Sequence, residues 1–129
     1  MDGVSRVDIV DQILRDAEAQ RINVFLPTIA RLEVLQTGPH ATDESKLADW
    51  LDAPYFQYVE LDAYLADRAR EIAQTTGVRT GVDAAYIATA QHVQAPLLMT
   101  WDDKIPAGPY GGVEVCTPYA NPGTMRMGD

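Results

Sequence analysis

Apolar residues recur at three- and four-residue intervals in several stretches of the chain, and short apolar or β-rich runs lie between these stretches. In residues 6–19 the spacing of Val7, Val10, Ile13, Leu14 and Ala17 places apolar side chains on one face of a helix. Further helices are predicted by the same pattern and by helix-start residues, beginning at Pro27-Thr28, Asp43, Ala63 and Thr80. Strands are predicted over residues 22–26, 55–59, 96–100 and 112–116.

The alternation of helices and strands indicates an α/β domain with a parallel or mostly parallel sheet between two layers of helices. The run 96–100 is the most apolar strand candidate, as expected for a strand covered on both faces. We expect the domain to occupy residues 1–118. Residues 119–129 contain Pro122, Gly123 and Gly128 without any periodicity, and we expect an irregular tail there.

The length and charge of the chain limit its class and its partners. A chain of 129 residues fits one domain, and 47% apolar residues are typical of a packed protein. A single cysteine, Cys116, excludes an internal disulfide and a cysteine metal cage, and it fits a reducing cytoplasm. No apolar run reaches the ~20 residues of a membrane helix. The net charge of −9 counts against nucleic acid as a partner, although a local cluster or a bound cation can reverse the potential at one cleft.

Asp102 stands two residues after the predicted strand that closes with Thr100. In an open α/β sheet, ligands gather beyond the carboxyl ends of the strands, so this is a position where a functional side chain is expected. A turn or helix-capping aspartate within the run Asp102-Asp103-Lys104 is the alternative, and it explains the residue alone equally simply.

Two further acids lie at positions where a carboxylate can serve either a site or the fold. Glu33 follows Ile29 by one turn and adjoins Leu32, so it lies near the edge of the predicted apolar stripe; the alternative is a solvated helical glutamate. Asp83 lies in the first turn of a helix, where the dipole and free amides favour an anion. Thr80, three residues earlier, forms a capping-box-like pair with it, so a structural role is the alternative.

The order of the three acids along the chain, and the elements in which they lie, resemble those of the PIN-domain family, which includes the VapC-type toxins. The resemblance rests on LPTIARLEVL at 26–35, VDAAYIATA at 82–90 and LLMTWD at 97–102, and the middle segment, similar to the family's Asp-Ala-x-x-x-Ala-x-Ala, is the most specific. It extends from about residue 6 to residue 118. The family implies a three-layer α/β fold in which Glu33, Asp83 and Asp102 bind metal and act in catalysis, while Thr100 contacts the substrate near the scissile phosphate.

Carboxylates without His or Cys independently favour Mg²⁺ or Mn²⁺, which lower the pKa of a bound water and neutralise charge on a phosphate. The resemblance therefore implies a metal-dependent endoribonuclease of the toxin type that cleaves RNA. It further implies a small antitoxin protein as partner, and we expect a homodimer in the cytoplasm. The alternative is a degenerate, catalytically inactive PIN domain that binds RNA or protein, which the net acidity favours.

Members of this family begin with an apolar strand that ends in Asp and lies in the middle of the sheet, whereas this sequence resembles the family only from its second helical segment. We therefore expect the first strand and its Asp to be missing from residues 1–129. Backbone groups on the neighbouring strands would then lack partners. We expect another chain, the tail or residues upstream to fill the gap.

Overall fold

The computed structural model describes the backbone of residues 6–36, 51–78, 80–101 and 105–118, and the side chains of these residues except 7 and 33–36. Four helices and four strands lie along these ranges, in the predicted order. The elements are α1 (Arg6–Glu18), β1 (Val24–Pro27), α2 (Ile29–Gln36), β2 (Phe56–Val59), α3 (Ala63–Thr75), α4 (Gly81–His92), β3 (Leu97–Met99) and β4 (Glu114–Cys116).

All the described strand pairings between named strands are parallel, which confirms the α/β class. β1 pairs with β2, with Val24 opposite Phe56, and β3 pairs with β4, with Leu97 opposite Glu114. The strands form two separate two-stranded sheets in the part of the chain that the structure describes. Among the described residues, the predicted parallel sheet is therefore present as two parallel pairs.

Helix α4 is the centre of the core. It packs closely against α3 and contacts both β1 and β3. Small residues on α4 allow this close approach, because side chains of one carbon bring helix backbones together, and the larger Ile87 is fully buried among them. The buried cluster consists of Leu65, Ala69, Ile72, Val78, Ala84, Ala85, Ile87, Ala88 and Ile105.

Helix α1 connects the end of β3 with the start of β1. The Arg6 guanidinium, at the start of the helix, lies 4.8 Å from the centroid of the Trp101 ring, just beyond the end of β3. The helix has 13 residues and is therefore about 20 Å long, and its other end leads through residues 19–23 into β1.

The buried Asp16 closes helix α1. Its carboxylate, with 1% of the residue exposed, accepts hydrogen bonds from Gln12 Nε2 at 3.3 Å and from Arg21 Nη1 at 3.1 Å. The backbone N–H of Arg21 also bonds to the Asp16 carbonyl at 2.9 Å. These contacts fix the turn that directs the chain from the helix into β1.

Two local predictions need correction. Pro27 was predicted to start a helix with Thr28, but it is the last residue of β1, and α2 starts at Ile29. Leu32 was predicted to lie in the apolar stripe, yet it is 55% exposed, whereas Ala30 is buried. The buried face of α2 is therefore turned away from the one that the spacing of large apolar residues predicted. The predicted helix from Asp43 lies outside the described residues, except for its last residue.

Among the described helices, none is both long and apolar enough to cross a membrane.

Candidate functional site

The carboxyl end of β1 leads directly into α2, the helix that carries residue 33. Thr28 stands between the two elements, and its backbone N–H bonds to the Val59 carbonyl at the end of β2, at 3.0 Å. Its Oγ1 accepts a hydrogen bond from the Leu61 N–H at 3.3 Å. Since both strands are fixed at this point, the position at which α2 leaves the sheet is well determined.

Asp83 is held in the first turn of α4 by a cap. The Thr80 Oγ1 accepts the Asp83 N–H at 3.1 Å, and the Thr80 carbonyl accepts the Ala84 N–H at 3.1 Å. The capping contact predicted between residues 80 and 83 is thus confirmed. The Asp83 residue is partly exposed, and its charge lies beside the free amides and the positive dipole end of the helix.

The starts of α2 and α4 are neighbours in space. A groove of about 490 Å³ is lined by Ile29 from the first turn of α2 and by Gly81 and Val82 from the first turn of α4. Residues of α3 form its other wall, and Arg70 is the cation among the described residues that line it. The groove therefore brings the helix that carries residue 33 next to the turn that carries Asp83.

Thr100 follows β3 directly, and its backbone N–H bonds to the Cys116 carbonyl of β4 at 2.9 Å. Helix α4 is followed by residues 93–96 and then by β3, and it contacts that strand. Thr100 therefore lies at the carboxyl end of a parallel strand, the end beyond which ligands of such sheets bind.

The convergence of Glu33, Asp83 and Asp102 on one site stays a prediction. Residue 33 lies in α2 as expected, but the Glu33 side chain is not described, and Asp102 lies outside the described residues, as does Asp103. Among the side chains that are described, no three His, Cys, Asp or Glu residues are grouped closely enough to hold a metal ion. Asp83 is the member of the trio whose side chain is described.

A polar cluster around Arg31 was not predicted from the sequence. The Arg31 guanidinium donates to the Leu51 carbonyl at 3.0 Å, to Tyr58 Oη at 3.2 Å and to Asp52 Oδ1 at 2.5 Å. It also lies 5.4 Å from the centroid of the Tyr58 ring. The hydrogen bond that Arg31 donates to Asp52, followed by the one it donates to Tyr58, raises the pKa of Arg31 above its usual value.

This cluster attaches α2 to β2 and to residues 51–52, so it fixes the helix that carries Glu33. The partners of Arg31 lie 20 to 27 residues after it in the sequence. Local sequence patterns cannot predict contacts over that separation, so the cluster was not predicted.

The fold and this turn define the class of protein: an α/β domain with parallel strand pairs and an acidic residue, Asp83, in the capped first turn of α4. Comparison with known proteins gives the family. The model of a family described as the PIN domain matches residues 4–108, most of the chain. The chain belongs to the PIN-domain family. PIN domains are generally nucleases that bind RNA and typically use divalent metals. No curated protein and no solved structure gives a significant match.

Proposed function

We propose that the chain is a metal-dependent endoribonuclease of the VapC toxin type. Glu33, Asp83 and Asp102 hold Mg²⁺ or Mn²⁺ and form the catalytic set, and Thr100 binds the substrate. The observation that carries the proposal is the position of Asp83 in the first turn of α4, which is capped by Thr80 and lies beside the start of α2, in a chain that belongs to a family of nucleases.

The donor chemistry fits a hard divalent cation. Asp83 is a partly exposed carboxylate that can present oxygen to an ion, and the other two proposed ligands are also carboxylates. Oxygen ligands without His or Cys favour Mg²⁺ or Mn²⁺ over zinc or copper. When bound, such an ion supplies charge neutralisation at the scissile phosphate and makes the attacking water more acidic.

The residues of the chain itself orient the reaction. The cap from Thr80 fixes the first turn of α4 and limits the freedom of Asp83. Thr100 stands at the end of β3 with its backbone N–H bonded to β4, and in the proposed site its hydroxyl contacts a phosphate oxygen. Arg70, on the wall of the neighbouring groove, offers a cation to the RNA backbone.

Calorimetric titration with Mn²⁺ tests the metal site. We expect heat of binding for the wild type and none for a variant that combines Asp83→Asn with Asp102→Asn. Glu18→Gln, in the last turn of α1, serves as a surface-charge control that removes one of the two negative charges lost in the double variant. Equal heat for the wild type and the double variant would contradict the proposed ligands.

Cleavage of RNA tests the reaction. Single-stranded and structured RNAs are incubated with the chain in Mn²⁺ or in EDTA, and the products are separated by length. We expect internal cuts that require the metal and that Asp83→Asn reduces by at least ~100-fold, since a positioned electrostatic group contributes that order of rate. Cleavage that persists in EDTA would exclude a metal-dependent mechanism.

A second function, that of an inactive PIN domain that binds RNA or protein, is favoured by the net charge of −9, which repels a phosphate backbone. Metal binding without any cleavage, together with RNA or protein binding, would select it. The antitoxin partner and the homodimer belong to the toxin proposal. They are tested by co-purification with an antitoxin encoded beside the gene and by light scattering, respectively.

A further inference from the structure

Arg6 is an exposed cation whose position is fixed by an aromatic ring. Its guanidinium, in the first turn of α1, lies over the half-buried Trp101 ring, 4.8 Å from the ring centroid. The negative face of an indole attracts a cation in this position. The contact uses the charge of the guanidinium and leaves most of its five N–H donors for another partner. Trp101 therefore holds the Arg6 charge in place without using up its hydrogen-bonding capacity.

Most of the other described arginines are neutralised by a carboxylate. The ion pairs are Arg21 with Asp16, Arg31 with Asp52, Arg68 with Glu71 and Arg70 with Asp67. Among the described side chains, no such pair is formed by Arg6 or by Arg15, and both arginines are exposed on α1. In a chain of net charge −9, Arg6 is thus a cation that keeps its charge available within the described part of the structure.

The place of Arg6 on its helix suits an anionic ligand better than it suits the helix. Arg6 is the first residue of α1, where free N–H groups and the positive end of the helix dipole disfavour a cation. The contact with Trp101 opposes this effect, so Arg6 brings little net stability to α1. A bound anion would be attracted both by the guanidinium and by the helix start.

The end of β3 locates this cation beside the proposed substrate contact. Trp101 directly follows Thr100, whose backbone N–H bonds to the Cys116 carbonyl at 2.9 Å, and the Cα atoms of consecutive residues are about 3.8 Å apart. Ligands of parallel sheets bind beyond the carboxyl ends of the strands. A nucleic acid strand that contacts Thr100 therefore passes close to the Arg6 guanidinium.

We propose that Arg6 binds a phosphate of the RNA backbone next to the scissile one, and that Trp101 holds the guanidinium in place for this contact. Arg6 is then a substrate-binding residue and Trp101 is a positioning residue. The planar guanidinium can donate two parallel hydrogen bonds to phosphate oxygens. A backbone contact of this kind fixes the register of the strand and selects no base. The inference rests on the proposed function for the identity of the ligand, RNA.

Binding of RNA in EDTA tests the contact without turnover. The probe is a fluorescently labelled single-stranded RNA of mixed sequence, and its binding is followed by anisotropy at several salt concentrations. We expect Arg6→Gln to weaken binding about 3- to 10-fold and to reduce the slope of log K against log salt by about 0.7, the share of one phosphate contact in a single strand. Arg6→Lys should keep the slope and recover part of the affinity. The matched control is Arg15→Gln, which removes another exposed arginine of α1 and should change neither quantity.

The ring of Trp101 is tested by a double-mutant cycle. If the ring acts through Arg6, Trp101→Leu weakens RNA binding in the wild-type background and has little further effect in Arg6→Gln. Trp101→Phe keeps an aromatic face and should retain most of the affinity, which separates the loss of the contact from a loss of folding. The same loss on Trp101→Leu in both backgrounds would show that the ring contacts RNA by itself, and it would overturn the positioning role.

Cleavage in Mn²⁺ separates this inference from the proposed function. Arg6→Gln should raise KM and leave kcat unchanged, because the contact is present before and during the reaction. Metal-dependent cleavage with unchanged KM, affinity and salt slope in Arg6→Gln would overturn the inference and leave the nuclease proposal standing. An equal loss of affinity in Arg15→Gln, or no RNA binding by the wild type, would overturn it too. RNA binding that depends on Arg6 without any cleavage would support the contact and contradict the nuclease.

Discussion

The cap at the start of α4 offers a test that separates the fold from the proposed site. Thr80→Ala removes the oxygen that accepts the Asp83 N–H at 3.1 Å. The loss of an N-cap side chain costs about 0.5–2 kcal/mol, typically ~1 kcal/mol. Because Thr80 is exposed, water can replace the lost acceptor, and we expect about 1 kcal/mol from urea unfolding in EDTA. Thr80→Ser retains the oxygen and should stay within a few tenths of a kcal/mol of the wild type.

Helix α3 provides the matched control. The Asp62 carboxylate caps this helix by accepting the Leu65 N–H at 2.9 Å. Asp62→Ala removes an equivalent contact, so we expect a loss of stability of the same order, about 1 kcal/mol. The two alanine variants should therefore be similarly stable, although one of them alters the turn that carries Asp83.

Metal affinity should distinguish the two variants. By calorimetry with Mn²⁺, Thr80→Ala is expected to weaken binding about 3- to 10-fold, because a loosened first turn must be ordered again when Asp83 binds the ion, whereas Asp62→Ala should match the wild type. That range corresponds to roughly 0.7–1.4 kcal/mol, about the size of the lost cap. Equal affinities for the two variants would refute the reasoning that the cap positions a metal ligand. A Thr80→Ser variant as unstable as Thr80→Ala would refute the energetic role of the oxygen.

Three further predictions concern the fold and are measured by urea unfolding. Ile87→Ala, at the fully buried centre of α4, should lower the unfolding free energy by about 2–5 kcal/mol and Ile87→Val by only about 0.5–1.5 kcal/mol; equal losses would mean that the core repacks around the smaller side chain. Arg21→Ala should cost about 1–3 kcal/mol because it leaves the buried Asp16 carboxylate with one fewer donor; Arg21→Lys should cost less, and a neutral Arg21→Ala would show that the carboxylate does not need the guanidinium. Burial raises the pKa of Tyr110 above its usual value of 10.0, so the phenol ionises more readily in the unfolded chain and stability should fall as pH rises above about 10; Tyr110→Phe should flatten that decline, and an unchanged slope would assign it to other groups.

Much of the element order follows from local patterns in the sequence. The helix α1 follows from apolar spacing at 6–19, and α4 follows from a capping threonine and a run of small residues. These signals act within a few residues of chain, where the helical repeat and hydrogen-bond geometry determine the outcome. They also led to the correct family, because the middle segment of the resemblance lies on α4 and its cap.

The features that the sequence did not reveal depend on contacts between distant segments. Leu32 fits an apolar stripe by spacing, but its exposure is decided by which side of α2 faces the rest of the fold. Proline is common at the start of a helix, but Pro27 pairs with Val59 of β2 as the last residue of β1. The pairing with β2 therefore outweighs the local preference of proline for a helix start. The Arg31 cluster joins residues 20 or more positions apart. For the proposed site, the sequence predicted the cap on Asp83, while convergence with Glu33 and Asp102 stays a prediction.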